Sequence, residues 1–180
     1  MLLSEQMKGH SASFQTVVLD PPWDESGGGK IKRGADRHYK LAKTRDMPGI
    51  IRSCPYWDDI AEDAHMYMWV TNNFLPDGLW LMSELGFVYK TNVVWVKPRI
   101  GLGQYFRGQH ELCLFGVRGR GVVPRTEDRT IGSVLHAPRG QHSKKPDAFM
   151  DIVERRSSGP YLEIFARRTR PGWTSWGNEI

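Results

Sequence analysis

The run Thr16–Leu19 ends in Asp20-Pro21-Pro22-Trp23, and that ending constrains the fold more than any other feature of the chain. β-Branched and apolar residues in succession specify a buried strand. Proline cannot donate to a β-ladder, so the strand must stop at Asp20. Met66–Val70, Asn92–Val96, Glu111–Val117 and Tyr161–Phe165 read as further strands. Phe74–Leu85 reads as a helix with Leu75, Leu79, Met82 and Leu85 on its inner face and Gly86 as its stop. Pro146–Arg156 reads as another, with proline in its first turn, Phe149, Ile152 and Val153 inward, and two arginines at its C-terminal end. Pro48–Ser53 and Trp57–Asp63 read as short helices. Strands alternating with helices predict an α/β fold with a mostly parallel central sheet and flanking helices. Ligands of such sheets bind beyond the carboxyl ends of the strands. Asp20, Lys97 and Arg167 each follow a predicted strand, so they are candidates to share one crevice.

The length of 180 residues fits one domain, read as 16–180 behind a loose N-terminal segment at 1–15. Burial of roughly 70% of the unfolded surface removes the need for a disulfide or metal staple. No apolar run approaches the roughly 20 residues of a membrane helix, so no membrane partner is expected. The start at Met1–Leu3 lacks the basic flank and apolar core of a signal peptide. Cys54 and Cys113 stand apart with no C-x-x-C, which fits a reducing cytoplasm. The histidines show no metal-ligand spacing, so no metal is expected.

The net charge of +5 permits a polyanionic partner without requiring one. Basic residues concentrate in two stretches. One, at 24–46, carries Lys30, Lys32, Arg33, Arg37 and Lys40 behind three glycines; the other runs from Arg118 to Pro146 and includes Arg139, Lys144 and Lys145. Long loops inside a domain are commonly functional, and these could track phosphates; solvated surface is the plainer reading. A second glycine-rich stretch lies at Gly101–Gly108.

Asp20-Pro21-Pro22-Trp23 suits methylation of an exocyclic aromatic amine. The lone pair of such an amine is delocalised into the ring, which makes it a poor nucleophile. A carboxylate accepting one N–H and a carbonyl accepting the other favour a pyramidal nitrogen. Asp20 can supply the first, the proline-bracketed Pro21 carbonyl the second, and Trp23 a face on which a base could stack. Positioning against an activated methyl donor supplies much of the rate. Taken alone, the tetrapeptide reads as well as a strand-ending turn with a core tryptophan.

The rest of the chain extends the match. VVLDPPW at 17–23, Tyr39, MWVT at 68–71, VVWVK at 93–97, HELCLFGVRG at 110–119, HSKKPDAFMDIVER at 142–155, LEIFAR at 162–167 and GWTSWGNE at 172–179 follow in order. In this series the chain resembles the MT-A70 family of adenine methyltransferases, typified by the catalytic subunit of the messenger-RNA N(6)-adenosine methyltransferase and its bacterial and phage relatives. The resemblance implies a Rossmann-like methyltransferase fold in circularly permuted motif order, with S-adenosylmethionine as cofactor. It implies Asp20, Pro21, Pro22 and Trp23 as the target-amine site and places Tyr39 at the mouth of the pocket. It places His110 near the methionine carboxylate, Arg167 and Arg170 toward the cofactor ribose, and Asn178 with Glu179 on ribose or adenine. It counts Thr169 with Arg170 among the cofactor contacts, both standing where the eukaryotic enzyme commonly has His and Asn. Lys32, Arg33, Arg139 and Lys145 are the candidates for nucleic-acid contact. The strand at 162–165 runs into Ala166-Arg167-Arg168 without the F-x-G-x-G of many DNA methyltransferases.

The leading reading is methylation of the N(6) amine of adenine in DNA by direct in-line transfer to a flipped or single-stranded base, in a bacterial or phage-infected cytoplasm. The alternatives are the same reaction on RNA, or a catalytically silent nucleic-acid-binding subunit. A homodimer or a family-type heterodimer is compatible with each. Lys97 could orient a phosphate or the cofactor carboxylate, or be a solvated lysine closing a strand. Glu111 reads as structural.

Overall fold

A computed structural model describes residues 13–24, 43–120, 128–140, 144–178 and 180. Seven strands form one sheet: β1 (Phe14–Leu19), β2 (Ile60–Val70), β3 (Val88–Val96), β4 (His110–Arg118), β5 (Val134–His136), β6 (Tyr161–Ile164) and β7 (Trp173–Trp176), in the order β5-β3-β4-β2-β1-β6-β7. Every strand runs parallel to its neighbours except β4, which is antiparallel to both β2 and β3. This is the expected α/β, Rossmann-like sheet. β1 lies between β2 and β6, with Leu19 in register with Met68 and Ile164. The residue after Leu19 therefore emerges at the middle of the carboxyl edge.

Burial on both faces explains the near-continuous apolar runs. Val17, Leu19, Met66, Met68 and Val70 point into one layer; Val18, Tyr67 and Trp69 point into the other. α1 (Met47–Arg52) and α2 (Leu75–Glu84) cover the first face with Met47, Ile51, Leu81 and Met82. α3 (Asp147–Arg156) covers the second with Phe149, Met150 and Val153.

The structure corrects several expectations. Residues 57–59 form a single 3-10 turn, and β2 starts at Ile60, so the helix read over Trp57–Asp63 is absent. Glu62 and Asp63 disguised the strand because Ala61, Glu62 and Asp63 are not buried, whereas everything from Ala64 onward is. Leu79 is 37% exposed. α2 presses its Gly78 against Val70 and Leu114, which centres the buried stripe on Gly78, Leu81, Met82 and Leu85 and turns Leu79 outward. β5 and β7 were not foreseen; each is short and lies at a sheet edge.

A buried polar knot ties α3 to the sheet. Ser157, just past the helix, places its Oγ 2.7 Å from His65 Nδ1 and 2.7 Å from the Tyr67 hydroxyl. The Tyr161 hydroxyl donates to the Ser157 carbonyl at 2.9 Å, and Thr16 Oγ1 to the Ser158 carbonyl at 2.7 Å. Ser157→Ala would leave the buried Tyr67 hydroxyl without this partner and take one contact from His65. The expected outcome is a loss of about 1–3 kcal/mol in chemical denaturation, the usual cost of leaving a buried polar group unpaired.

Candidate active site

Asp20 leaves β1 at the carboxyl edge, where the neighbouring parallel strands also end. Lys145, two residues before α3, holds it: the Nζ lies 2.9 Å from Oδ1 and 3.0 Å from Oδ2. The same ammonium sits 3.4 Å from Glu111 Oε2 and 5.4 Å from the Trp69 ring centroid. Glu111 Oε1 accepts a hydrogen bond from Lys97, whose ammonium lies 4.6 Å from the Trp95 ring. Charges of alternating sign thus run Lys97, Glu111, Lys145, Asp20, drawn from the end of β3, the start of β4, the approach to α3 and the end of β1.

Each charge is held by its neighbours. Burial disfavours the Lys145 ammonium, but the Asp20 and Glu111 carboxylates outweigh burial and raise its pKa. Burial likewise opposes ionisation of Glu111, and Lys145 and Lys97 overcome it, so its pKa is lowered. Both are charged at neutral pH.

A cavity of about 280 Å³ opens beside this chain. Asp20, Trp69, Lys145, Glu163, Phe165 and Arg167 line it, together with Lys144, Arg168 and Arg170. Burial, and then the nearby Asp20 carboxylate, push Glu163 up to about 7 against the opposing influence of Arg170. Phe165, the first residue after β6, has φ +66°, a left-handed conformation that L-residues rarely adopt and that concentrates at functional turns.

Asp20, Lys97 and Arg167, expected to share one crevice, converge on this edge: Asp20 and Arg167 line the cavity, and Lys97 reaches Asp20 through Glu111 and Lys145. Lys145 enters as the direct partner of Asp20. Lys97 is 6% exposed, so it is not the solvated lysine that a strand end allowed.

Trp23 departs from the expected stacking role. It is 6% exposed, donates its Nε1–H to the Trp69 carbonyl at 2.9 Å, and stacks on Phe74 at 5.4 Å between centroids. The indole is consumed in anchoring the turn beneath the end of β2 and offers no free face. The Pro21 carbonyl already accepts the Trp23 amide at 2.9 Å, which leaves it one lone pair. Arg170 lines the cavity but is bound to α3, 2.8 Å from Asp151 and 2.9 Å from Glu154. His110, Thr169, Asn178 and Arg139 are exposed and do not line the cavity. His110 opens β4, Thr169 follows β6 and Asn178 follows β7, while Arg139 packs against Gly101. Lys32, Arg33, Tyr39 and Glu179 lie outside the described residues.

Sequence reasoning missed Glu163 and Trp69 as cavity residues, and Glu111 as the link between two lysines. Strand alternation held the signal for Glu163 and Trp69. They share the face of Val18, and Val18 precedes Asp20 by two positions, so all point toward α3. Among the described residues no group of histidine, cysteine, aspartate and glutamate side chains could hold a metal ion. Among the same residues no helix is long and apolar enough to cross a membrane.

Comparison with known proteins fits this architecture. The MT-A70 family model matches residues 14–179. The Type II methyltransferase M.MunI of Mycoplasma sp is 31% identical over 93% of this chain and 78% of its own length. The N6-methyladenosine RNA methyltransferase MTA1 of Cryphonectria parasitica is 31% identical over 93% of this chain and 52% of its own length. The human N(6)-adenine-specific methyltransferase METTL4 is 28% identical over 98% of this chain and 39% of its own length. The chain thus spans most of M.MunI but about half or less of these eukaryotic relatives. The family match runs from the first strand through the last, and with the Asp20 turn at the centre of the carboxyl edge the chain belongs to the MT-A70 family of N(6)-adenine methyltransferases.

Proposed function

We propose that this protein transfers a methyl group from S-adenosylmethionine to the exocyclic N(6) amine of adenine in DNA. The observation that carries the reading is the Asp20 carboxylate, set in a cavity wall and fixed there by Lys145. A carboxylate has lone pairs beyond those Lys145 engages. Asp20 therefore remains able to accept one amine N–H, and the free lone pair of the Pro21 carbonyl can take the other. Both contacts draw the nitrogen away from planarity and free its own lone pair for attack. The product amine is cationic and loses its proton readily, so no strong base is needed. The thiols are not nucleophiles: burial pushes both Cys54 and Cys113 up from the ordinary thiol range.

The cavity residues suit the donor. S-adenosylmethionine supplies an activated methyl group and carries an ammonium, a sulfonium and a carboxylate. Glu163 and Asp20 offer the anionic partners, and Lys144, Lys145, Arg167 and Arg168 the cationic ones. The adenine must leave a duplex or arrive single-stranded, because its amine is inaccessible within the stack. DNA is favoured over RNA by a match that runs over most of M.MunI, a type II methyltransferase. RNA is the second reading, favoured by the similarity to MTA1.

The deciding experiment supplies deuterium-methyl-labelled S-adenosylmethionine with single-stranded DNA, double-stranded DNA or RNA, followed by nucleoside mass spectrometry. Labelled N(6)-methyladenine is expected, most in DNA. Asp20→Asn should lower it by about a hundredfold or more, the scale of losing a charge-directing group at the reacting atom, with the melting transition kept. Undiminished transfer in Asp20→Asn would overturn the assignment.

Glu111→Gln leaves Lys97 and Lys145 close together with Asp20 as their remaining anion. Removing one partner from a buried charge network costs about 3 kcal/mol, so denaturation should shift by about that amount while Asp20→Asn shifts it less. Glu163 makes a pH prediction for the cofactor-free protein. Its folded pKa of about 7 lies above the unfolded carboxylate range. Its contribution to stability is therefore full at acid pH and is lost as pH rises through about 7. Glu163→Gln, neutral throughout, should melt higher than the wild type at pH 8 and converge with it only at about pH 4 and below, under the unfolded carboxylate range.

A further inference from the structure

The segment joining β3 to β4 presents aromatic rings to water at the edge that carries Asp20. Tyr105 is fully exposed, Phe106 is 86% exposed, and Ile100 and Leu102 are also exposed. An apolar cluster of this kind on a surface loop marks a contact site.

The loop is latched in shape. The Lys97 amide donates to the Gln109 carbonyl at 2.8 Å, Gly101 to Gly108 at 2.6 Å, and Gly108 back to Leu102 at 3.2 Å. Gln109 Nε2 also donates to the Lys97 carbonyl at 3.1 Å. A side chain at Gly103 would collide with the Phe106 carbonyl, and a β-carbon at Gly108 would lie 2.7 Å from the Leu102 carbonyl oxygen. Tyr105 is held at φ +57°, in the left-handed region that costs a non-glycine residue energy. The backbone thus keeps a strained tyrosine pointed outward. The roots of the loop are Lys97 and Glu111, two members of the charge chain that ends on Asp20.

The surrounding charge selects the partner. No aspartate or glutamate occurs from Lys97 through His110. Arg99 and Arg107 flank the rings, and Arg139 packs against Gly101. Among the described residues none of these arginines forms an ion pair. A second copy of the chain would bring the same cations against them, which disfavours a two-fold contact through this loop. Aromatic rings interleaved with arginines match a strand with π-faces and phosphates.

Building on the reading of the site as a nucleic-acid methyltransferase, we propose that residues 99–107 form an aromatic finger: Tyr105 and Phe106 stack on unpaired bases flanking the target adenine, and Arg99, Arg107 and Arg139 contact the adjoining phosphates.

The test measures binding apart from catalysis. Tyr105→Ala/Phe106→Ala is compared with Tyr105→Trp/Phe106→Trp and the wild type on a fluorescein-labelled, adenine-containing single strand and its duplex. Cofactor affinity by calorimetry and oligomeric state by sedimentation are measured on each protein. The alanine pair should lose about tenfold or more in single-strand affinity, the scale of base–aromatic stacking. The tryptophan pair should retain it, and cofactor affinity should be unchanged. A 2-aminopurine beside the adenine should be quenched by the wild type and not by the alanine pair. Unaltered affinity in the alanine pair, or no nucleic-acid binding by the wild type, would overturn the finger. So would a wild-type oligomer that dissociates in the alanine pair, which would make the loop a protein-docking surface. Loss of binding in the alanine pair from a wild type that transfers no methyl would uphold the finger and sink the activity.

Discussion

Lys145 is the interaction on which the site depends. Its ammonium touches two carboxylates from different strands, Asp20 of the β1 turn and Glu111 of β4, and lies near the Trp69 ring. That cation, with Lys97, outweighs the burial that opposes ionisation of Glu111 and lowers its pKa. Lys97 completes the balance from the far side of Glu111. Two lysines and two carboxylates balance one another, so the site holds no large unpaired charge. The arrangement also couples fold to function, because Lys145 reaches Asp20 only while α3 is docked.

That docking rests on Phe149 and Val153 and on the polar knot around Ser157. The two ends of α3 thus do different work. One holds the helix to β2 through His65 and Tyr67, and the other delivers Lys144 and Lys145 to the cavity. Arg170 adds a lateral tie by binding Asp151 and Glu154. It supports the cavity wall from behind, a role that its place in the motif did not disclose.

The central strands were legible because burial on both faces writes a simple pattern of β-branched and apolar residues. The proline pair marked the end of β1 and so the place of Asp20. Pairing across the sheet was not legible. Glu111 looked structural because nothing local shows that β4, antiparallel to both its neighbours, starts at the edge where β2 and β3 end. Trp23 looked like a stacking surface because a tryptophan after two prolines has no local sign of the Trp69 carbonyl that receives it. β5 and β7 were hidden by their shortness, since an edge strand needs little apolar content.

The reversed direction of β4 has a consequence for how such enzymes diversify. The links from β1 to β2, β2 to β3, β5 to β6 and β6 to β7 join strands of the same direction and must return from one edge of the sheet to the other. The link from β3 to β4 is a hairpin that leaves the sheet and returns at the same edge. Its tip can grow, shrink or change composition at small entropic cost, with strand order and core untouched. With the proposed strand contact at that tip, a change there would alter which substrate is held and leave the Asp20 turn in place, so related chains should differ in length here before they differ anywhere in the sheet.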